Sequence, residues 1–389
     1  MWRTVFGVGM VLSCVAGGGS AAPVEFVAKR IGTYRSEACA VGDFTGDGKV
    51  DIVAGPFLYV APNWTVVKIR DVKSDVKEDG KGYADDFCNL AMDVNNDGRL
   101  DILAVGWFNK TSMWIENCGV GNGLWKEHVI DTGLNHETAT LELLRGAGTG
   151  AVLVPQVSPT IWYERCLNAS EVQWTKHVVD AQGLAFGAGV GDVNGDGRPD
   201  IVRPGAWYEA PLDVCTGAWK KHPLALGGPT GTVAHSSNII VVDVNKDGRM
   251  DLIASSAHKH GIWWYEQKSG GDGAAEPVWV QHVIDDRWSQ AHFLLLADMD
   301  NDGVNELVTG KRFMAHNGSD PDEQGKLCVY YYDYQPGPDP HFQRGVIDES
   351  GAYGAGLNSV ACDVDGDGDM DLVTTGKWGG PVIFANKLR

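Results

Sequence analysis

Short apolar runs recur along the chain, separated by turns rich in Gly, Asp and Asn. Asn238-Ile-Ile-Val-Val242 and Asp251-Leu-Ile-Ala254 are two of them. Each such pair is followed by an aromatic segment, among them MWIEN, IWYER, AWYEA, WWYEQ and YYYDY, and then by an alternating one such as WKEHVID, WTKHVVD or WVQHVID. Runs this short, bounded by turn residues and rich in β-branched and aromatic side chains, predict strands and not helices. The pattern therefore predicts repeated units of four short strands.

A nine-residue acidic loop sets the register of the repeat. It reads DFTGDGKVD from Asp43, DVNNDGRLD from Asp93, DVNGDGRPD from Asp192, DVNKDGRMD from Asp243, DMDNDGVNE from Asp298 and DVDGDGDMD from Asp363, with a decayed copy, ELLRGAGTG, from Glu142. Seven four-stranded units at this period predict an all-β, seven-bladed β-propeller. Closure is written into the ends. The last apolar run, Val382 to Asn386, is a third strand, and Glu25 to Ile31 supplies its missing fourth. Such a blade, stitched from both ends, leaves no free sheet edge.

Composition narrows the class. The net charge of −19 over 389 residues argues against nucleic acid and anionic membranes as partners. Residues 1–22 read as a signal peptide, with Arg3, the apolar stretch Val5 to Ala16 and small residues before Pro23. That predicts a secreted, extracellular or periplasmic protein whose residues 23–389 are one domain. Val11-Leu12-Ser13-Cys14 is an alternative lipoprotein signal. No later segment is long and apolar enough to span a bilayer. Seven cysteines follow the signal, an odd number, so at least one thiol is unpaired within the chain.

Alternating carboxylates around an Asp-Gly turn suit a hard cation that takes several oxygens. The ligands expected for calcium are Asp43, Asp47 and Asp51 in the first loop. Asp93, Asn95, Asp97 and Asp101 serve the second, Asp192, Asn194, Asp196 and Asp200 the third intact one. Asp243, Asn245, Asp247 and Asp251 follow, then Asp298, Asp300, Asp302 and Glu306, and last Asp363, Asp365, Asp367 and Asp371. The decayed copy has lost its acids and should be empty. These loops and blades resemble the FG-GAP or VCBS repeats of integrin α-subunit propellers and of many secreted bacterial proteins. The resemblance implies structural Ca²⁺ in several blades.

The eleven histidines divide by position. His128, His177, His222 and His282 share one slot in the fourth strand, which marks packing. His136, His235 and His292 precede first strands, while His258, His260 and His316 fall in turns between second and third strands. Antiparallel order brings both positions to one mouth of the propeller, opposite the acidic loops. A concave mouth of imidazoles, cations and aromatics is the expected functional site. Clustered imidazoles suit Zn²⁺. His235, His258 and His292 are the expected ligands, with His260 as a substitute for His258. His316, Lys311 and His136 are the expected proton carriers. Arg203, Arg312, Trp288, Trp378, Tyr353 and Trp107 are the expected substrate contacts.

The stretches SSAHKHGIWWYEQ and SQAH…GKRFMAHNG resemble secreted VCBS proteins similar to the propeller domain of fungal aldos-2-ulose dehydratase, also called 1,5-anhydro-D-fructose dehydratase. That resemblance implies zinc in the funnel and elimination of water from a keto-sugar. The fungal enzyme carries cupin domains after its propeller, and this sequence ends at its seventh blade. The expectation is a zinc-dependent carbohydrate lyase or dehydratase acting on a small saccharide or polysaccharide. A non-catalytic glycan- or protein-binding propeller and a polysaccharide lyase are the alternatives.

Overall fold

A computed structural model describes residues 24–146, 150–168, 171–270 and 276–388; the expected signal peptide lies outside them. The described residues form seven antiparallel sheets of four strands each, and no helix. In chain order the blades span 39–68, 88–132, 139–180, 189–223, 240–289, 295–348 and 360–386. The seventh blade takes its outer strand, Phe26–Tyr34, from the start of the chain. That strand pairs with Gly380–Asn386, setting Phe26 opposite Asn386 and Arg30 opposite Val382. It runs three residues further than the sequence pattern indicated.

Burial follows strand position. Second strands such as Asp51–Ala54, Asp101–Val105 and Asp251–Ser255 are buried along their whole length. Outer strands such as Glu171–Asp180 alternate. The apolar clusters lie between consecutive blades: Ile253, Trp264 and Val244 of the fifth pack on Leu307, Tyr330 and Tyr332 of the sixth. The repeated histidines pack as expected. His128, His177, His222 and His282 stack on Trp114, Trp162, Trp207 and Trp264 with ring centroids 3.9–4.3 Å apart. The described cysteines are free thiols.

Each acidic loop is built around two carboxylates. The first-position acid gathers the turn: Asp43 accepts the amides of Gly46 at 2.7 Å, Asp47 at 3.0 Å and Gly48 at 2.9 Å. Gly48 has φ +86°, a left-handed conformation that makes the Asp-Gly step necessary. The ninth-position acid does something the sequence reading did not assign to it. Asp200 is fully buried, and its two oxygens accept Val193 N at 2.9 Å from the loop and Ala210 N at 2.8 Å from the end of the third strand. Asp51, Asp101, Asp251 and Asp371 repeat the arrangement.

The loops are not equivalent toward a cation. Arg99, Arg198 and Arg249 each turn back onto the fifth-position acid of their own loop, Asp97, Asp196 and Asp247. Among the described residues no arginine serves the last two loops, though Lys387 Nζ lies 3.6 Å from Asp365 Oδ2 and 3.9 Å from Asp367 Oδ2. There Asp298, Asp300 and Asp302, and again Asp363, Asp365 and Asp371, each offer an oxygen within 4.8 Å of the others. Burial, reinforced by Asp300, Asp298 and Asp302, pushes the Glu306 carboxyl up to about 8.

Two outcomes follow for the scaffold. Deleting Val24 to Ile31 should expose the edge of Gly380–Asn386 and sharply lower the melting temperature; an unchanged value would refute the stitched blade. Glu306 binds its proton more tightly folded than unfolded, so its contribution declines as pH rises from about 4.5 toward 8. In chelator, the parent should lose stability across that window and Glu306→Gln should lose less. Equal slopes in thermal melts would show that Glu306 is not the responsible group.

Candidate functional site

The mouth opposite the acidic loops gathers charged residues from five blades. Glu137 stands two residues before the inner strand Ala139–Glu142, and its amide donates to Gln156 O at 3.2 Å. His292 precedes Leu295–Ala297 on the sixth blade. His258 lies in the turn before His260–Lys268, where Ala257 N donates to His235 O at 3.0 Å and Gln290 Nε2 to the His258 carbonyl at 2.8 Å. Glu137, His258 and His292 each bring one ligand atom within 4.8 Å of the others. His292 Nε2 is 3.2 Å from Glu137 Oε1, yet neither of its buried ring nitrogens has a partner in hydrogen-bonding geometry.

A second triad shares His258. His316 Nδ1 lies 2.7 Å from Asp320 Oδ2, and His258 Nδ1 lies 3.3 Å from the same oxygen. The His316 and His258 rings stack at 4.3 Å. Asp320 is fixed by Glu323, whose carboxylate accepts its amide at 3.0 Å and the amide of His316. Below these groups, Arg312 is locked to Glu37 through bonds of 2.6 and 3.0 Å, with Glu137 at 3.6 Å. Lys377 donates to Met314 O at 2.8 Å and sits 3.7 Å over the Tyr83 ring.

The electrostatics favour a cation-ready centre. Burial, then His292 and Arg312, bring His258 down to about 2, so its imidazole is neutral. Burial alone would raise Glu137, but His292 and Arg312 outweigh it and hold the carboxylate ionised. Burial brings Lys377 down to about 8. Two imidazoles, a carboxylate and buried ring nitrogens outside hydrogen-bonding geometry fit a divalent ion such as Zn²⁺.

Rings continue outward from this centre. His235 is centred 5.8 Å from His258, Phe186 stacks on His235 at 5.4 Å, and Trp107 follows at 4.8 Å. His235 Nδ1 accepts Phe186 N at 3.1 Å. On the opposite side, the 71–87 loop reaches the sixth blade through Tyr83 Oη, which donates to Ala315 O at 2.9 Å.

Several expected residues lie elsewhere. His136 points the opposite way from Glu137, into the second blade, 3.3 Å from Ser112 Oγ, and burial brings it down to about 4. Lys311 is buried in bonds of 2.8 Å to both Ser289 and Asp322, so it is an ion-pair partner and not a free proton carrier. His260 is exposed opposite Ser289 and joins neither triad. Trp288 is core, its Nε1 bonded to Tyr332. Trp378 and Tyr353 pack on each other under Arg30 of the outer strand. Arg312 is consumed by Glu37. Arg203, buried against Thr160 and Ala185, has an unpartnered Nε and is brought down to about 10 by burial. The sequence reading did not single out Glu37, Tyr83, Asp320 or Glu323. The signal for Glu37 is its place two residues before the inner strand Cys39–Gly42, the same offset as Glu137.

The family model of the FG-GAP-like repeat matches residues 243–309, which run from the fifth blade's acidic loop into the sixth blade. The chain carries an FG-GAP-like repeat. No curated protein matches the chain. Among solved structures it is similar to one concerning recognition of non-reducing terminal N-acetylglucosamine by an Agrocybe aegerita lectin, at 14% identity and a TM-score of 0.47, covering 94% of this chain and 90% of that one.

The buried pair beneath the propeller's mouth makes a measurable demand. Removing one partner of such a pair costs roughly 3–5 kcal/mol. Glu37→Gln should lose about that much in urea unfolding, whereas a loss under ~1 kcal/mol would mean that Arg312 finds full compensation in Glu137.

Proposed function

We propose that the funnel mouth is a saccharide site built on a divalent-metal centre, and that its chemistry is elimination of water from a keto-sugar or related saccharide. The observation that carries this reading is the convergence of Glu137, His258 and His292, with buried ring nitrogens left without a hydrogen bond of good geometry. Adhesion alone has no need of clustered imidazoles held at that depth.

Glu137, His258 and His292 would hold the ion, which when bound supplies positive charge to polarise the sugar ketone. His316 accepts the proton from the carbon next to the ketone, and Asp320 on its Nδ1 steadies the imidazolium that results. The carbon–hydrogen electron pair forms the new double bond as the β-carbon–oxygen bond breaks. The proton on His316 passes to the departing hydroxide, which leaves as water, so one residue closes the balance. The Trp107–Phe186–His235 series offers ring faces on which a pyranose stacks. That series also supports the second reading, glycan binding without turnover, because stacking requires no chemistry.

The experiment pairs metal analysis with turnover. His292→Ala should lose the funnel metal and activity together. His316→Ala should keep the metal, keep saccharide binding by calorimetry and lose at least 100-fold in elimination rate. Trp107→Ala should weaken binding roughly ten-fold. Saccharide binding with no elimination by the metal-loaded parent would establish the second reading instead. Full metal content in His292→Ala would remove the proposed centre.

A further inference from the structure

Blades two, four and five share a surface device: a fourth-strand histidine stacked on tryptophan and paired with a third-strand glutamate. The pairs are His128 with Glu116 at 2.7 Å, His222 with Glu209 at 2.9 Å and His282 with Glu266 at 3.0 Å. A lysine completes each one, Lys126 at 3.6 Å, Lys220 at 3.2 Å and Lys268 at 3.1 Å from the same carboxylate oxygen. Blade three has the pair, His177 Nε2 at 3.2 Å from Glu164 Oε2, but no lysine on that oxygen. A thiol takes its place. Cys215 Sγ lies 3.9 Å from Glu164 Oε2, and the three ligand atoms all lie within 4.8 Å of one another.

Cys215 comes from the next blade. The segment carrying it reaches back over blade three, where Val214, Cys215 and Trp219 pack against a cluster that includes Leu144 and Trp162. Arg145 binds the other oxygen, Oε1, and leaves Oε2 facing the imidazole and the thiol. Blade three is also the blade whose acidic loop has decayed.

We propose that Glu164, His177 and Cys215 form a transition-metal site that ties blade three to blade four, separate from the funnel. Bond lengths to zinc of about 2.0–2.3 Å place tetrahedral ligands roughly 3.3–3.6 Å apart, near the 3.2 Å from His177 to Glu164 and the 3.9 Å from Cys215 to Glu164. A carboxylate, an imidazole and a thiol select a borderline ion of the zinc class over calcium. Binding releases the thiol proton to solvent and leaves the fourth position to water. The site gives the one blade with a decayed loop a cation of another class.

Cobalt(II) reports on this thiolate directly. Titrating the full chain with Co²⁺ should produce a thiolate-to-metal charge-transfer band, which in His292→Ala, without the competing funnel centre, should saturate near one equivalent. The band should survive in His292→Ala and vanish in Cys215→Ser and His177→Gln. No band in the parent, or an undiminished band in Cys215→Ser, overturns the site. Alkylation of the parent followed by mass spectrometry needs no variant: Zn²⁺ should slow Cys215 modification at least ten-fold. An equal rate with and without Zn²⁺ overturns it as well.

Discussion

A buried carboxylate at the end of each acidic loop holds the propeller's geometry. In five blades both of its oxygens are spent on backbone amides, one from the loop and one from the end of the third strand. The bond pattern joins the first three strands of a blade through a single side chain. Because the second strand is buried on both faces, its ends cannot drift without breaking that contact. The opposite ends of the same strands form the mouth. The position of Glu137 relative to His258 and His292 therefore depends on staples at the far face of the molecule.

The mouth itself is asymmetric. Its charged groups come from the first, third, fifth, sixth and seventh blades, and the ring series extends over the second, fourth and fifth. The two halves do different work in the proposed reaction: one orders charge, the other offers flat apolar surface. Neutral His258 beside ionised Glu137 arises because neighbouring positive charge reinforces burial at the histidine and overcomes it at the glutamate.

The fold was legible because its signals are local and repeated: the loops share one register, and the terminal strands complement each other. The site was legible in part. His258, His292 and His316 were found because turn positions repeat from blade to blade. His136 and Glu137 show where such reasoning stops. They are neighbours, and successive side chains point to opposite sides, so one enters the blade interior and the other the funnel. Trp288 and Trp378 fit platform positions by sequence but pack into apolar clusters. Asp320 and Glu323 lie in a long connection whose shape comes from distant contacts, and no period runs through it.

The pairing of Phe26–Tyr34 with Gly380–Asn386 also sets an order in time. This strand is made hundreds of residues before its partner and has no pairing until that partner follows. Meanwhile its apolar residues and unpaired backbone are open to chance association. Lys29 and Arg30, both on this strand, are the kind of charge that discourages such pairing. Ring closure, the contact of greatest sequence separation, is then the slow event in reaching the native state, because its loop-closure entropy falls due last.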